Sequence, residues 1–169
     1  MNERVVASAV FFMLAPGTMA GLIPYLITHW RIGAAPWWTH ALGVVLILGG
    51  LVFLIECFAR FVRDGLGTAA PLMPTQRLVV TGLYAYVRNP MYVSVLALIL
   101  GQALLFANAA LIAYGVFSFI VVTIFVVYFE EQRLAHVFAE DWPAYSANVG
   151  RWLPRLSPWK PIAKQEIAP

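Results

Sequence analysis

Charge is scarce in this chain. Only 11% of its 169 residues are Asp, Glu, Lys or Arg, against 62% hydrophobic, and the mean hydropathy is +0.79. A soluble core of this size could not hide that much apolar surface, so the composition excludes an ordinary soluble domain and reads as an integral membrane protein. Cysteine is nearly missing too. Cys57 stands alone, which rules out an intramolecular disulfide and leaves no cysteine-based zinc site. His29, His40 and His136 are scattered without matching carboxylate spacing, so no metal is expected. There is no internal repeat, no low-complexity segment and no separate basic domain, which makes nucleic acid a poor partner for a chain of formal charge +3. Gly and Pro are plentiful, at 12 and 11, and both are commoner in transmembrane helices than in soluble ones.

What is present is a set of long apolar runs. A span needs about 20 mostly apolar residues to cross roughly 30 Å of hydrocarbon. Candidates fall at 5–27, 40–59, 91–106 and 109–129, giving four helices. The first is interrupted by Pro16, Gly17, Gly21 and Pro24, with a kink expected where Pro16 removes a backbone hydrogen bond. Its length exceeds the apolar run of a cleaved signal peptide, so it reads as a span. Asn108, set between small residues, marks a tight hairpin between the last two. The expected fold is all-α: a polytopic membrane protein of about four transmembrane helices with a cytoplasmic loop and a short carboxyl-terminal helical tail, as a single domain over 1–169.

Basic residues set the orientation, because short cytoplasmic loops carry the excess of Lys and Arg. Arg60, Arg63, Arg77 and Arg88 lie in the second connection and Arg133, Arg151, Arg155, Lys160 and Lys164 in the tail, while the opposite side has only Arg31. Arg4 puts the amino terminus with the basic group. Both termini, the second connection and the tail are therefore expected on the cytoplasmic side of an inner or plasma membrane, where a pI near 9.2 suits anionic headgroups.

Two polar clusters flank the last hairpin. The first runs Thr81, Gly82, Leu83, Tyr84, Ala85, Tyr86, Val87, Arg88, Asn89, Pro90, Met91, Tyr92, and the second is Glu130 and Glu131 with Leu134 following. Residues 91–129 contain no Asp, Glu, Lys or Arg, so a stretch that leaves through a bilayer and returns brings the clusters to one membrane face. The loop at 64–87, broken by Gly65, Gly67, Pro71 and Pro74, reads as a lid or pocket wall. The tail at 132–147 has the spacing of one or two amphipathic helices around Pro143. Duller readings exist for each signal. Arg88 ahead of Asn89-Pro90 fits a snorkelling anchor at a helix start, and Glu131 fits a solvated helix end, although an acid there opposes the helix dipole and asks for a partner. Glu56 and Arg60, four residues apart, read as a structural ion pair.

The pattern Tyr84-x-x-x-Arg88-Asn89-Pro90-x-Tyr92, then a hydrophobic hairpin and Glu130-Glu131-x-x-Leu134, resembles the integral membrane methyltransferases of the isoprenylcysteine carboxyl methyltransferase and phospholipid methyltransferase group. The aromatic and acidic tail, from Phe138 through Trp142 and Tyr145 to Arg151-Trp152-Leu153-Pro154, extends the likeness over about 65–156. Asn89 stands where the group usually has His and Ser94 where it has Gly. The resemblance implies S-adenosylmethionine as cofactor and a lipid-like or small apolar methyl acceptor offering a carboxylate, amine or thiol. Carried over by motif position, it implies that Tyr84, Asn89, Pro90, Met91 and Tyr92 line the cofactor site, with Gln76, Arg77, Leu78 and Val79 as its wall and Glu130 on a polar part of the cofactor. Arg88 and Glu130 are the catalytic candidates. Val126 occupies the position where isoprenylcysteine enzymes place an arginine for the substrate carboxylate, which points away from a prenylcysteine acceptor.

The chemistry suits those residue types. A sulfonium, an ammonium and a carboxylate on one ligand call for anionic and aromatic groups near the positive parts and donors near the negative one. Carboxylate and thiolate acceptors need no general base, whereas an amine must lose a proton, for which Glu130 or Glu131 is the nearest carboxylate. A function of another class stays open at this stage: a non-catalytic small membrane protein, either a transporter or an assembly factor, on the same scaffold.

Overall fold

A computed structural model describes residues 14–63 and 77–160. Every regular element among them is helical, and the only ladder contact described is an isolated parallel bridge between Val87 and Gly150. Four apolar helices form the body: α1 (Leu14–Thr28), α2 (Trp37–Arg63), α3 (Pro90–Leu105) and α4 (Ala109–Val137). A short helix α5 (Trp142–Asn148) follows, with Pro143 in its first turn. α2 and α4 are long and apolar enough to cross a bilayer, while α1 and α3 are shorter. In the most apolar stretches of α2 and α4, only 28% and 22% of residues are buried within the protein. A soluble core helix would be mostly covered, so lipid is the natural solvent for these faces.

Each boundary has a local cause. Pro90 opens α3 at a position whose N–H would be unpaired in any case. Asn108 caps α4, its Oδ1 accepting from the backbone N–H groups of Ala110 (2.9 Å) and Leu111 (3.3 Å). This is the tight hairpin read from the sequence. α4 departs from expectation at its far end: it continues past Phe129 through a π turn at Val126–Glu130 to Val137, absorbing the first part of the segment read as a separate tail helix. The backbone of α1 is irregular one turn beyond Pro16, where residues Thr18–Leu22 form a π turn.

Pro24 explains how α1 is held. Lacking an N–H, it leaves a carbonyl one turn back without a partner, Ala20 in α-helical register or Met19 in π register. Both oxygens are satisfied from other helices. Gln102 Nε2 on α3 donates to Ala20 O at 2.7 Å, and the Tyr114 hydroxyl on α4 donates to Met19 O at 3.0 Å. In hydrocarbon an orphan carbonyl has no water to turn to, so these bonds fix where α1 docks. Gln102→Leu and Tyr114→Phe are each expected to lower stability by about 1 kcal/mol in a detergent-mediated unfolding titration.

α2 and α3 pack antiparallel along a seam of small residues. A methyl group on Gly43 would lie 2.6 Å from Gly101 O, and one on Gly101 would lie 2.8 Å from Ile47 Cγ1. Nearer the other end, the apolar core gathers Leu54, Phe58, Val95, Leu98 and Ile99, with Met19 and Tyr114 packed against it. The α1–α2 and α3–α4 connections meet at one end, where Gly33 N–H donates to Phe106 O (2.9 Å) and His40 Nδ1 lies 2.7 Å from Leu105 O. The Arg88 motif, the paired acids and the tail are thereby all placed at the other end.

Candidate functional site

The polar end is assembled from a tight turn. Residues Gly82–Ala85 form one 3₁₀ turn, and Gly82 takes φ of +59°, a left-handed conformation that side chains disfavour. Any Cβ there would also press on Glu56 and Arg60, whose own ion pair measures 2.7 Å, as their spacing implied. Seated on that pair, the turn drives Tyr84 inward to 6% exposure. Its carbonyl accepts a 2.9 Å hydrogen bond from the Tyr145 hydroxyl of α5. Burial pushes both phenols above their ordinary range, so each is a neutral O–H at any physiological pH.

From Ala85 to Asn89 the motif is laced to the tail. Arg88 N–H donates to Gly150 O, Arg155 N–H to Tyr86 O and Trp159 N–H to Ala85 O, each at 2.9 Å, and Asn89 Nδ2 reaches Arg151 O at 3.2 Å. The Arg88 guanidinium lies over the Trp142 ring, 5.7 Å from its centroid, and its Nη1 meets Glu131 Oε1 at 3.0 Å. Arg151 grips the same carboxylate with two bonds, Nε to Oε1 and Nη2 to Oε2, both 2.8 Å. Burial pulls the Arg88 pKa down while Glu131 opposes the change, and the hydrogen bonds to Glu131 raise that of Arg151. Both remain cations.

Glu131 is therefore no solvated helix end. α4 runs on to Val137, and at 16% side-chain exposure Glu131 sits between two arginines that supply its counter-charge. Glu130 has a different partner, accepting from the Tyr92 hydroxyl at 2.9 Å. The π turn of Val126–Glu130 ends at this junction, and such turns recur at functional sites because they re-aim side chains. One acid faces α3 and the other faces the tail.

Two cavities meet here. The larger, about 160 Å³, lies among α1, α3 and α4 and is walled by apolar groups such as Met19, Val95, Leu96 and Val122, with Met91 and Tyr92 at its polar end. The smaller, about 100 Å³, lies toward the tail beneath Leu78, Val79, Leu134, Trp142 and Tyr145. Tyr84, Arg88, Asn89 and Glu130 line both. Of the residues singled out by motif, then, Leu78 and Val79 line the tail-side cavity, and Met91 and Tyr92 the one between the helices. Pro90 is buried as the start of α3, and Arg77 is exposed. Gln76 lies outside the described residues. Sequence reading missed the Glu131 bridge to Arg151. Its available signal was an acid next to the membrane-crossing run together with a basic tail.

The geometry defines a class first: a small helical membrane protein with an internal polar site at one end of its bundle, open to an apolar cavity. The phospholipid methyltransferase family model matches residues 38–141, and the chain belongs to that family. It is a membrane methyltransferase. No curated protein and no solved structure matches the chain. Among the described residues no group of three or more His, Cys, Asp and Glu is placed to hold a metal ion.

Proposed function

We propose that the protein transfers a methyl group from S-adenosylmethionine to a lipid-like or small apolar acceptor, acting as a single domain with its polar end toward the cytoplasm. The observation that carries this reading is the shared wall of Tyr84, Arg88, Asn89 and Glu130 between a tail-side cavity and an apolar one. The cofactor's chemistry fits the residues of that wall. Arg88 Nε is buried without a hydrogen-bond acceptor, a donor available to a carboxylate, and Glu130 and the tyrosine rings suit a sulfonium and an ammonium. When bound, the cofactor supplies an activated methyl group on a positively charged sulfur.

The chain's own residues supply position and dryness. Leu78, Val79, Leu134, Trp142 and Tyr145 cover the tail-side cavity and exclude water, and Val95, Leu96 and Val122 offer an apolar bed for the acceptor's hydrocarbon part. Holding nucleophile and methyl about 3 to 3.5 Å apart is then most of the catalysis. For an amine acceptor, Glu130 is the carboxylate on the wall and takes the departing proton. Val126 is fully buried, with no cation at that position for an acceptor's carboxylate, which favours amine or thiol acceptors over a prenylcysteine carboxylate. The cluster of Arg60, Arg63, Arg77, Arg88, Arg133 and Arg151 at the polar end, against Arg31 at the other, supports the cytoplasmic orientation.

Calorimetry in detergent tests the assignment. S-adenosylhomocysteine is expected to bind the parent protein with micromolar affinity, and Glu130→Ala and Tyr92→Ala are expected to weaken binding by at least about tenfold, the scale of one lost charge-assisted contact. Normal binding by variants with parental melting curves would overturn the site map.

A further inference from the structure

Beyond α5 the chain reads Arg151, Trp152, Leu153, Pro154, Arg155, Leu156, and its two leucines are not folded back onto the bundle. Leu153 is 82% exposed and Leu156 is fully exposed, the most open large apolar side chains among the described residues. The segment is nevertheless held firmly. Arg151 is clamped on Glu131, and Arg155 N–H is bonded to Tyr86 O at 2.9 Å. Between these anchors Trp152 packs edge-on against Phe119, ring centroids 5.2 Å apart.

Phe119 fixes the depth. It lies within the charge-free run of α4, about 16 Å of helix rise from Glu130. Val116, one turn before it, and Ile120, beside it, are exposed on the same uncharged stretch. The indole of Trp152 is thus seated on a surface that continues the lipid-facing side of a membrane-crossing helix. Leu153 and Leu156, both exposed, follow it in the chain.

We propose that residues 152–156 form an interfacial anchor, with the Trp152, Leu153 and Leu156 side chains among the acyl chains and Arg155, whose Nη1 donates to Asn148 O, kept with the exposed Arg133 and Lys160 at the level of the headgroups. The bilayer is the occupant because the segment's apolar surface is continuous with that of α4 and because the aromatic–aliphatic composition beside basic residues is that of an interfacial anchor. Asn89 Nδ2 donates to Arg151 O, so the anchor also ties the Arg88 motif to a fixed depth. This inference stands apart from the methyl-transfer reading.

The test uses the full chain in proteoliposomes of phosphatidylcholine and phosphatidylglycerol. Leu153→Cys and Leu156→Cys, each made in a Cys57→Ala background, carry an environment-sensitive fluorophore, with Ala139→Cys as the exposed reference on the turn before α5. Labels at 153 and 156 are expected to emit blue-shifted light, to be quenched strongly by nitroxide-bearing lipids, and to be several-fold less open to aqueous iodide than the label at 139. Iodide quenching equal to that at 139 would overturn the proposal. So would shielding from both iodide and nitroxide lipids, which would mean that a second copy of the chain covers the segment. An unchanged melting curve for each labelled protein, with both sites exposed, separates these outcomes from misfolding.

Discussion

Replacing Glu131 by Ala is expected to cost about 3 to 5 kcal/mol, the range measured when one partner is removed from a buried ion pair. Two guanidinium groups depend on this carboxylate, and one of them, Arg88, has a side chain only 13% exposed. Without it, Arg88 is a desolvated cation with a ring beneath it and no anion, and Arg151 loses both of its bonds to the acid. The tail has further backbone links to the motif, so the polar end should loosen before the helices part. A melt in detergent should fall by roughly 10 °C, and protease cleavage should appear first beyond α5. Glu131→Gln retains shape and one acceptor but no charge, and should fall between the two. Replacing Arg88, Glu131 and Arg151 together by Met should recover much of the stability, because no charge is then left stranded. A Glu131→Ala melt within 2 °C of the parent would show that the bridge holds nothing, since about 1 kcal/mol moves a chain of this size by 2 to 4 °C.

The second large effect lies at the opposite end of the α2–α3 seam. A side chain on Gly43 meets backbone atoms of Gly101 and Leu105 at 2.6 Å, and backbone cannot rotate aside as a side-chain tip can. Gly43→Leu and Gly101→Leu should therefore push the helices apart along their length. Ordinary overpacking costs about 1 to 3 kcal/mol, and a forced separation of two backbones belongs at or above the top of that range. Gly49 serves as the internal control, because a methyl there meets nothing within 4 Å, and Gly49→Ala should leave the protein unchanged or slightly stabilised. Purified yield and the detergent-unfolding midpoint separate the outcomes. If Gly101→Leu unfolds at the parental midpoint, the seam is not what holds α2 to α3.

Much of this architecture was legible in the chain. The absence of charge from 91 to 129, bounded by Asn89-Pro90 and by paired acids, implied a hairpin that returns to its starting face, and Tyr92 and Glu130 do meet at 2.9 Å. Asn108 signalled the hairpin that it turns out to cap, and Glu56 and Arg60 their pairing, because both are local events set by a few residues of spacing. Long-range partners were harder to see. Pro24 announces that a carbonyl will be orphaned, but nothing local says that Gln102 will satisfy Ala20 and Tyr114 will satisfy Met19. The claim of Arg151 on Glu131 is likewise set by the path of the tail. The π turn at Val126–Glu130 left no mark in a sequence that is uncharged and largely apolar up to Glu130. A run of Val and Phe reads the same in either helical register.

Pro24 also bears on the order of assembly. The first helix leaves the ribosome before the other three, yet its backbone is not complete until Gln102 and Tyr114 are in place. Until the final hairpin inserts, that segment waits in the lipid with unmet acceptors and is the natural client for an insertase or for transient wetting. The earliest part of the bundle to be made is the last to mature.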